Sequence, residues 1–165
     1  MEDQEQVSSA SSPAELPRGR YPGRLDDKAR LKLPADFIKF FKSLPETKLY
    51  LTSLDRRIAH LYPIAEWRVN EKLLDTFQED PDAADNIAFI AADLGADVEM
   101  DAQGRIIVHP DLRRELEMEG QELHLIAYKG HVEILTDARY NERKERATPE
   151  NTAGNLKTMK KAGLR

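Results

Sequence analysis

The spacing of hydrophobic and polar positions changes several times along the chain, and each change marks an element. Residues 1–17 have no period: they are polar and Ser-rich, and cannot bury enough apolar surface to offset the entropy of ordering. A disordered leader is expected there. From Arg18 an extended, alternating pattern sets in, with Leu31 and Leu33 on one face and Lys32 on the other. The polar turn Asp26-Asp27-Lys28-Ala29-Arg30 lies before it, so residues 18–33 read as a hairpin. Past Pro34 the period lengthens. Phe37, Phe40, Phe41 and Leu44 fall at i, i+3, i+4 and i+7, the apolar stripe of a helix that Pro34 opens and Pro45 ends. Leu49–Leu51 and Ile58–Tyr62 read as strands. Pro63 to about Gln78 reads as a helix carrying Trp67, Leu73, Leu74 and Phe77. Ala83–Leu94 reads as another, with Asp82 as its N-cap and Gly95 just past its end.

The same order then returns. Val98 to Pro110, with the turn Asp101-Ala102-Gln103-Gly104-Arg105, reads as a second hairpin, and Asp111–Met118 as a helix closed by Gly120. Leu123–Tyr128 and His131–Leu135 form a hairpin through Lys129-Gly130. The order hairpin, helix, strand, turn, strand, helix start thus recurs at an offset of roughly 75 residues. His60-Leu-Tyr-Pro-Ile-Ala-Glu-Trp67 lines up with Glu133-Ile-Leu-Thr-Asp-Ala-Arg-Tyr140. The expected organisation is an α+β fold with a pseudo-two-fold repeat: half-domains at 18–67 and 95–142, a helical connector at 68–94, and a polar basic tail at 143–165, disordered after Ala147.

Charge refines this picture. A net charge of −5 argues, by itself, against a nucleic-acid binder, because phosphate binding draws its affinity from clustered Lys and Arg. Its distribution argues the other way. Residues 1–17 and 141–165 carry opposite and cancelling charge, so the acidity belongs to the body. Within that body Arg18, Arg20, Arg24, Lys28, Arg30 and Lys32 face only Asp26 and Asp27. With no cysteine there is no disulfide, thiolate metal site or thiol nucleophile. No apolar run approaches the roughly 20 residues of a membrane span, and no signal pattern opens the chain, so a cytoplasmic protein is expected. His60, His109, His124 and His131 are scattered without HExxH-like spacing and read as structural or surface residues, not metal ligands. Phe37, Phe40 and Phe41 read as core, Trp67 and Tyr140 as packing residues at helix starts, and the basic runs near the C-terminus as solvated. No nucleophile has a base and orienter, and no carboxylate pair sits in an apolar setting, so neither an enzyme nor a cofactor is expected. On residue type alone, Arg30 and Arg105 fit a solvated turn arginine paired to its own Asp as well as they fit a DNA contact.

Four motifs tip that balance. Arg18-Gly-Arg-Tyr21 precedes Leu25-Asp-x-Lys-x-Arg-Leu-x-Leu-Pro34; Leu61-Tyr-Pro-x-x-Glu-Trp67 lies in the middle, and Met100-Asp-x-Gln-Gly-Arg-Ile-x-x-x-Pro110 in the second half. In this order, from about Arg18 to Glu142, they resemble the MraZ family of bacterial transcriptional regulators, which have two SpoVT-AbrB-like half-domains. The resemblance implies a tandem swapped-hairpin fold and a ring-shaped homo-oligomer, cytoplasmic and nucleoid-associated. It also implies contact between hairpins on one rim and repeated double-stranded DNA sites upstream of the division and cell-wall gene cluster. Carried residue by residue, the DNA contacts fall on Asp26, Lys28 and Arg30 and on Asp101 and Arg105, with Arg18 and Arg20 as phosphate contacts. Arginine can take phosphate, or guanine O6 and N7, bidentately, while the Asp orients it. The chain departs from the family pattern in having Ala29 where glycine is usual, and Gln103 stands where the first half has Lys28. The alternative function on the same fold is a non-enzymatic interaction module, antitoxin-like or scaffolding.

Overall fold

The computed structural model describes residues 15–165. Residues 1–14 of the expected leader lie outside the described residues, and Leu16 packs against the core. The elements are β1 (Arg20–Gly23), β2 (Arg30–Lys32), α1 (Ala35–Ser43), β3 (Leu49–Ser53), β4 (Ala59–Pro63), α2 (Ile64–Thr76), α3 (Pro81–Asp93), β5 (Ala96–Val98), β6 (Arg105–Ile107), α4 (Pro110–Glu115), β7 (Leu123–Tyr128), β8 (His131–Thr136), α5 (Asp137–Arg146) and α6 (Pro149–Lys161).

A six-stranded sheet runs β1-β7-β8-β4-β3-β5, and β2 and β6 form a separate two-stranded ribbon; every pairing is antiparallel. The order is a palindrome of the repeat. The β3-β4 and β7-β8 hairpins meet at the centre, and the first strand of each half pairs with the other half's hairpin, β1 on β7 and β5 on β3. The Asp26–Arg30 and Asp101–Arg105 turns form as expected, but the strands flanking each turn go to different sheets. A single Leu25–Leu31 bridge joins them in the first half. The physical gain is burial. The three-residue strands β2 and β6 pair with each other over the core, enclosing Leu31, Leu33, Ile106 and Val108 together. The α+β fold is therefore one interleaved body.

Phe37 and Phe41 are fully buried, and Tyr21 meets Phe37 edge-on at 5.0 Å between centroids. On the central strands Ala59, Leu61, Val132 and Ile134 face this core. Their alternates, including His60, Tyr62 and Glu133, point to the outer face, where Tyr50, Tyr62, Trp67, Ile64 and Ala91 make a second cluster beneath α2 and α3.

Several boundaries differ from the sequence reading. Asp80, not Asp82, caps α3: its Oδ1 accepts from the Ala83 N–H at 3.1 Å, and Pro81 fills the position after it. Glu117, not Gly120, closes α4. It takes φ 54°, and the Glu117 and Met118 N–H groups donate to the Arg114 and Arg113 carbonyls. The tail expected to be disordered after Ala147 is helical over Pro149–Lys161. Thr148 accepts from the Asn151 N–H, Glu150 lies in the first turn, and Lys160 and Lys161 lie in the last. Capping and dipole-matched charge hold this helix, with no buried residue. No helix among the described residues is long and apolar enough to cross a membrane.

Candidate nucleic-acid interface

The two turns are the same device built twice. Asp26 Oδ1 accepts the backbone N–H groups of Lys28 and Arg30 at 2.9 Å each, and Oδ2 accepts Arg30 Nε–H at 2.8 Å. Asp101 does the same with the Gln103 and Arg105 N–H groups at 2.9 Å and Arg105 Nε–H at 2.7 Å. Main-chain bonds close each turn: Asp26 and Asp101 N–H donate to the carbonyls of Arg30 and Arg105, at 3.0 and 2.9 Å. Donors aimed at a carboxylate favour its charged form. The Arg30 backbone N–H, above all, holds Asp26 below the usual carboxylate range, and that of Arg105 brings Asp101 down to about 2. Both are ionised at neutral pH. Each Asp takes its arginine by Nε, and among the described residues nothing hydrogen-bonds to the Nη groups of Arg30 or Arg105. The guanidinium plane is fixed while its terminal fork stays available.

The ribbon puts the two forks on one surface. Arg30 lies opposite Ile107, Leu31 opposite Ile106 and Lys32 opposite Arg105. Paired and alternate residues share a face, so Arg30, Lys32, Arg105 and Ile107 make one side. Leu31 and Ile106, both fully buried, make the other. The turns sit at opposite ends of the ribbon. Each is tied to the other half, because Val108 N–H donates to the Ala29 carbonyl at 2.9 Å and Leu33 N–H to the Gly104 carbonyl at 3.0 Å. Lys32 Nζ also donates to the Gln103 carbonyl. The pseudo-two-fold relates Arg30 to Arg105, but it relates Lys28 to Gln103 and Lys32 to Ile107, which is 62% exposed. One half of the face is basic and the other is close to neutral.

Lys32 and Ile107 were not among the sequence-predicted site residues. Alternation turns Lys32 away from the core, but only the pairing of β2 with β6 shows what it joins. Asp26, Lys28, Arg30, Asp101 and Arg105 come together at the ribbon. Arg18 and Arg20 do not. Arg18 is exposed and paired with Glu15 at 2.9 Å. Arg20 Nη1 lies 2.9 Å from His124 Nδ1, with its guanidinium 4.8 Å from the Tyr140 ring centroid.

Ala29 and Gly104 both adopt left-handed backbone, φ 59° and 74°. A Cβ on Gly104 would stand 2.1 Å from Ile38 Cδ1, so any other residue there must turn the Ile38 side chain aside as well as accept the left-handed backbone. The first turn accepts alanine at a conformational cost of about 1 kcal/mol. Ala29→Gly removes that cost but gives the unfolded chain more freedom. The variant is expected to be neutral, or up to about 1 kcal/mol more stable, in a thermal melt; a clear fall in Tm would contradict the strain.

Comparison with known proteins bears on what this surface is for. Residues 95–162 match the family model described as MraZ protein, antitoxin-like. A transcriptional regulator MraZ from Acidobacterium capsulatum is 32% identical over 129 residues, covering 78% of this chain and 87% of the relative. The protein of the same name from Koribacter versatilis is 31% identical over 150 residues, covering 89% and 99%. The one from Pediococcus pentosaceus is 34% identical over 125 residues, covering 75% and 83%.

Proposed function

The chain belongs to the MraZ family, and we propose that this transcriptional regulator, which is not an enzyme, acts by laying the exposed face of the β2–β6 ribbon on double-stranded DNA. The observation that carries this reading is the pair of arginines, each anchored through Nε by its own Asp and presenting its Nη fork on the same face as Lys32. Such a fork matches phosphate oxygens or guanine O6 and N7, whereas a carboxylate repels phosphate; Asp26 and Asp101 therefore orient, and Arg30 and Arg105 contact. Lys28 and Lys32 add phosphate contacts in the first half. In the second, Gln103 offers an amide to a base edge and Ile107 an apolar surface to a thymine methyl. Arg18 is a peripheral phosphate contact. Arg20 reaches DNA only by leaving His124 and Tyr140.

One chain offers a small basic face on an acidic body, so its affinity for a single site is modest. Display of several faces on a homo-oligomeric ring turns repeated operator sites upstream of the division and cell-wall gene cluster into tight targets, in the cytoplasm and at the nucleoid. The halves 18–67 and 95–142 are the duplicated parts of one DNA-reading body. The test is binding of the purified protein to DNA carrying tandem or single copies of the repeat upstream of its own gene, beside its mass in solution. Complexes that form with tandem copies, and an oligomer in solution, are expected. A monomer that binds a single copy tightly would contradict the ring. Oligomerisation with no salt-dependent DNA binding would favour the interaction-module reading, which the antitoxin-like family description also suits.

A further inference from the structure

The outer face of the six-stranded sheet gathers three donor groups that are remote from the ribbon and distant in sequence. His60 on β4 lies directly across from Glu133 on β8, and His131 is two residues before Glu133 on the same face. Their donor atoms all lie within 4.8 Å of one another, and His60 Nδ1 is 3.0 Å from His131 Nε2. Tyr62 stacks against both rings, at centroid distances of 5.9 Å to His60 and 4.6 Å to His131, which fixes their planes.

We propose that His60, His131 and Glu133 bind a single divalent transition ion of the zinc, nickel or cobalt class. Two imidazole nitrogens and one carboxylate oxygen are borderline ligands that suit these ions and disfavour magnesium or calcium. A neutral imidazole has only one N–H, so His60 Nδ1 and His131 Nε2 share one proton across their 3.0 Å contact. Metal binding replaces that hydrogen bond: the proton moves to the other nitrogen of the donating ring, and both rings bind as neutral ligands. Nitrogens on one zinc ion are roughly 3.4 Å apart, given bonds of about 2.1 Å in a tetrahedron, so a small ring movement suffices.

Asp55 adds negative charge beside His60 and Glu133, and Arg143 opposes it at Glu133. His60 and Glu133 are partly exposed, which leaves a route for the ion and room for water as a further ligand. A second trio, Glu122, His124 and Asp137, has similar donors but holds the Arg20 guanidinium against His124, and that charge repels a cation. Because β4 belongs to the first half and β8 to the second, an ion at His60, His131 and Glu133 staples the seam between the halves. It lies on the opposite side of the sheet from the DNA-reading ribbon.

The experiment is calorimetric titration of the full-length, tag-free, chelator-treated protein with zinc chloride, with thermal melts in zinc and in magnesium. One zinc per chain is expected, with Tm raised by zinc and not by magnesium. His60→Gln and Glu133→Gln are each expected to weaken zinc binding at least about tenfold. Glu133→Gln, at a partly exposed position, keeps the side-chain shape and serves if the histidine variant folds poorly. No zinc binding by the wild-type chain, or unchanged affinity in both variants, would overturn the site.

Discussion

The Gly95→Ala variant is expected to lose about 3 kcal/mol of stability or more, because its methyl group would overlap atoms that cannot easily move. An added Cβ would lie 1.8 Å from Tyr50 Oη and 2.2 Å from the Ala91 carbonyl oxygen. That carbonyl accepts from both Tyr50 Oη at 2.7 Å and Thr52 Oγ1 at 2.8 Å. Displacing it would leave the fully buried Thr52 hydroxyl short of its partner and would push Tyr50 off Trp67, on which it stacks at 4.6 Å. The join between α3 and the sheet would loosen with it. Chemical denaturation reads the effect as a lower midpoint. Tyr50→Phe, which removes the hydroxyl in the way, is expected to restore part of the loss in the double variant. A Gly95→Ala protein as stable as wild type would show that α3 shifts freely on the sheet.

The second large effect concerns binding. With both forks removed, in an Arg30→Ala, Arg105→Ala variant, operator affinity is expected to fall by roughly 30-fold to 25,000-fold, since each bidentate contact contributes about 1–3 kcal/mol. The fold should persist. Each arginine side chain is about a quarter exposed, at 25% and 24%, and the turn's main-chain bonds to Asp26 and Asp101 remain. Arg30→Lys with Arg105→Lys separates charge from shape. It is expected to keep salt-dependent binding to any DNA while losing preference for the operator, because lysine has no planar fork. Fluorescence anisotropy on operator and scrambled duplexes measures both. Equal operator binding by wild type and the alanine double variant would move the contact elsewhere, with the basic residues of α5 and α6 the first place to look.

What the sequence made legible follows from the range of the interactions involved. The helix stripe of Phe37, Phe40, Phe41 and Leu44 and the alternation at Leu31 and Leu33 are local, and both elements lie where expected. The Asp26 and Asp101 turns are local too, each complete within five residues, so their arginines could be named from the chain alone. Partners are another matter. Alternation says which way Lys32 points but not that β2 lies beside β6, so the shared face of Arg30, Lys32, Arg105 and Ile107 appears only in the fold. The sequence alone reads Gly95 as a helix-closing glycine, but its role is close approach to Tyr50, a contact across 45 positions that no local pattern encodes. Likewise His60 and His131, separated by 71 positions, meet only because β4 and β8 are neighbours. The α6 helix was missed for the opposite reason: caps and charges hold it without an apolar face in the core, and composition there resembles that of a disordered tail.

Photo-crosslinking tests the central claim most directly. A benzophenone amino acid is placed at position 107 on the ribbon face, or at position 89 on α3, where Phe89 is 65% exposed, and each protein is irradiated on operator DNA. Cross-links from position 107 and none from 89 are expected. Cross-links from position 89 with none from 107 would contradict the ribbon as the surface that reads DNA.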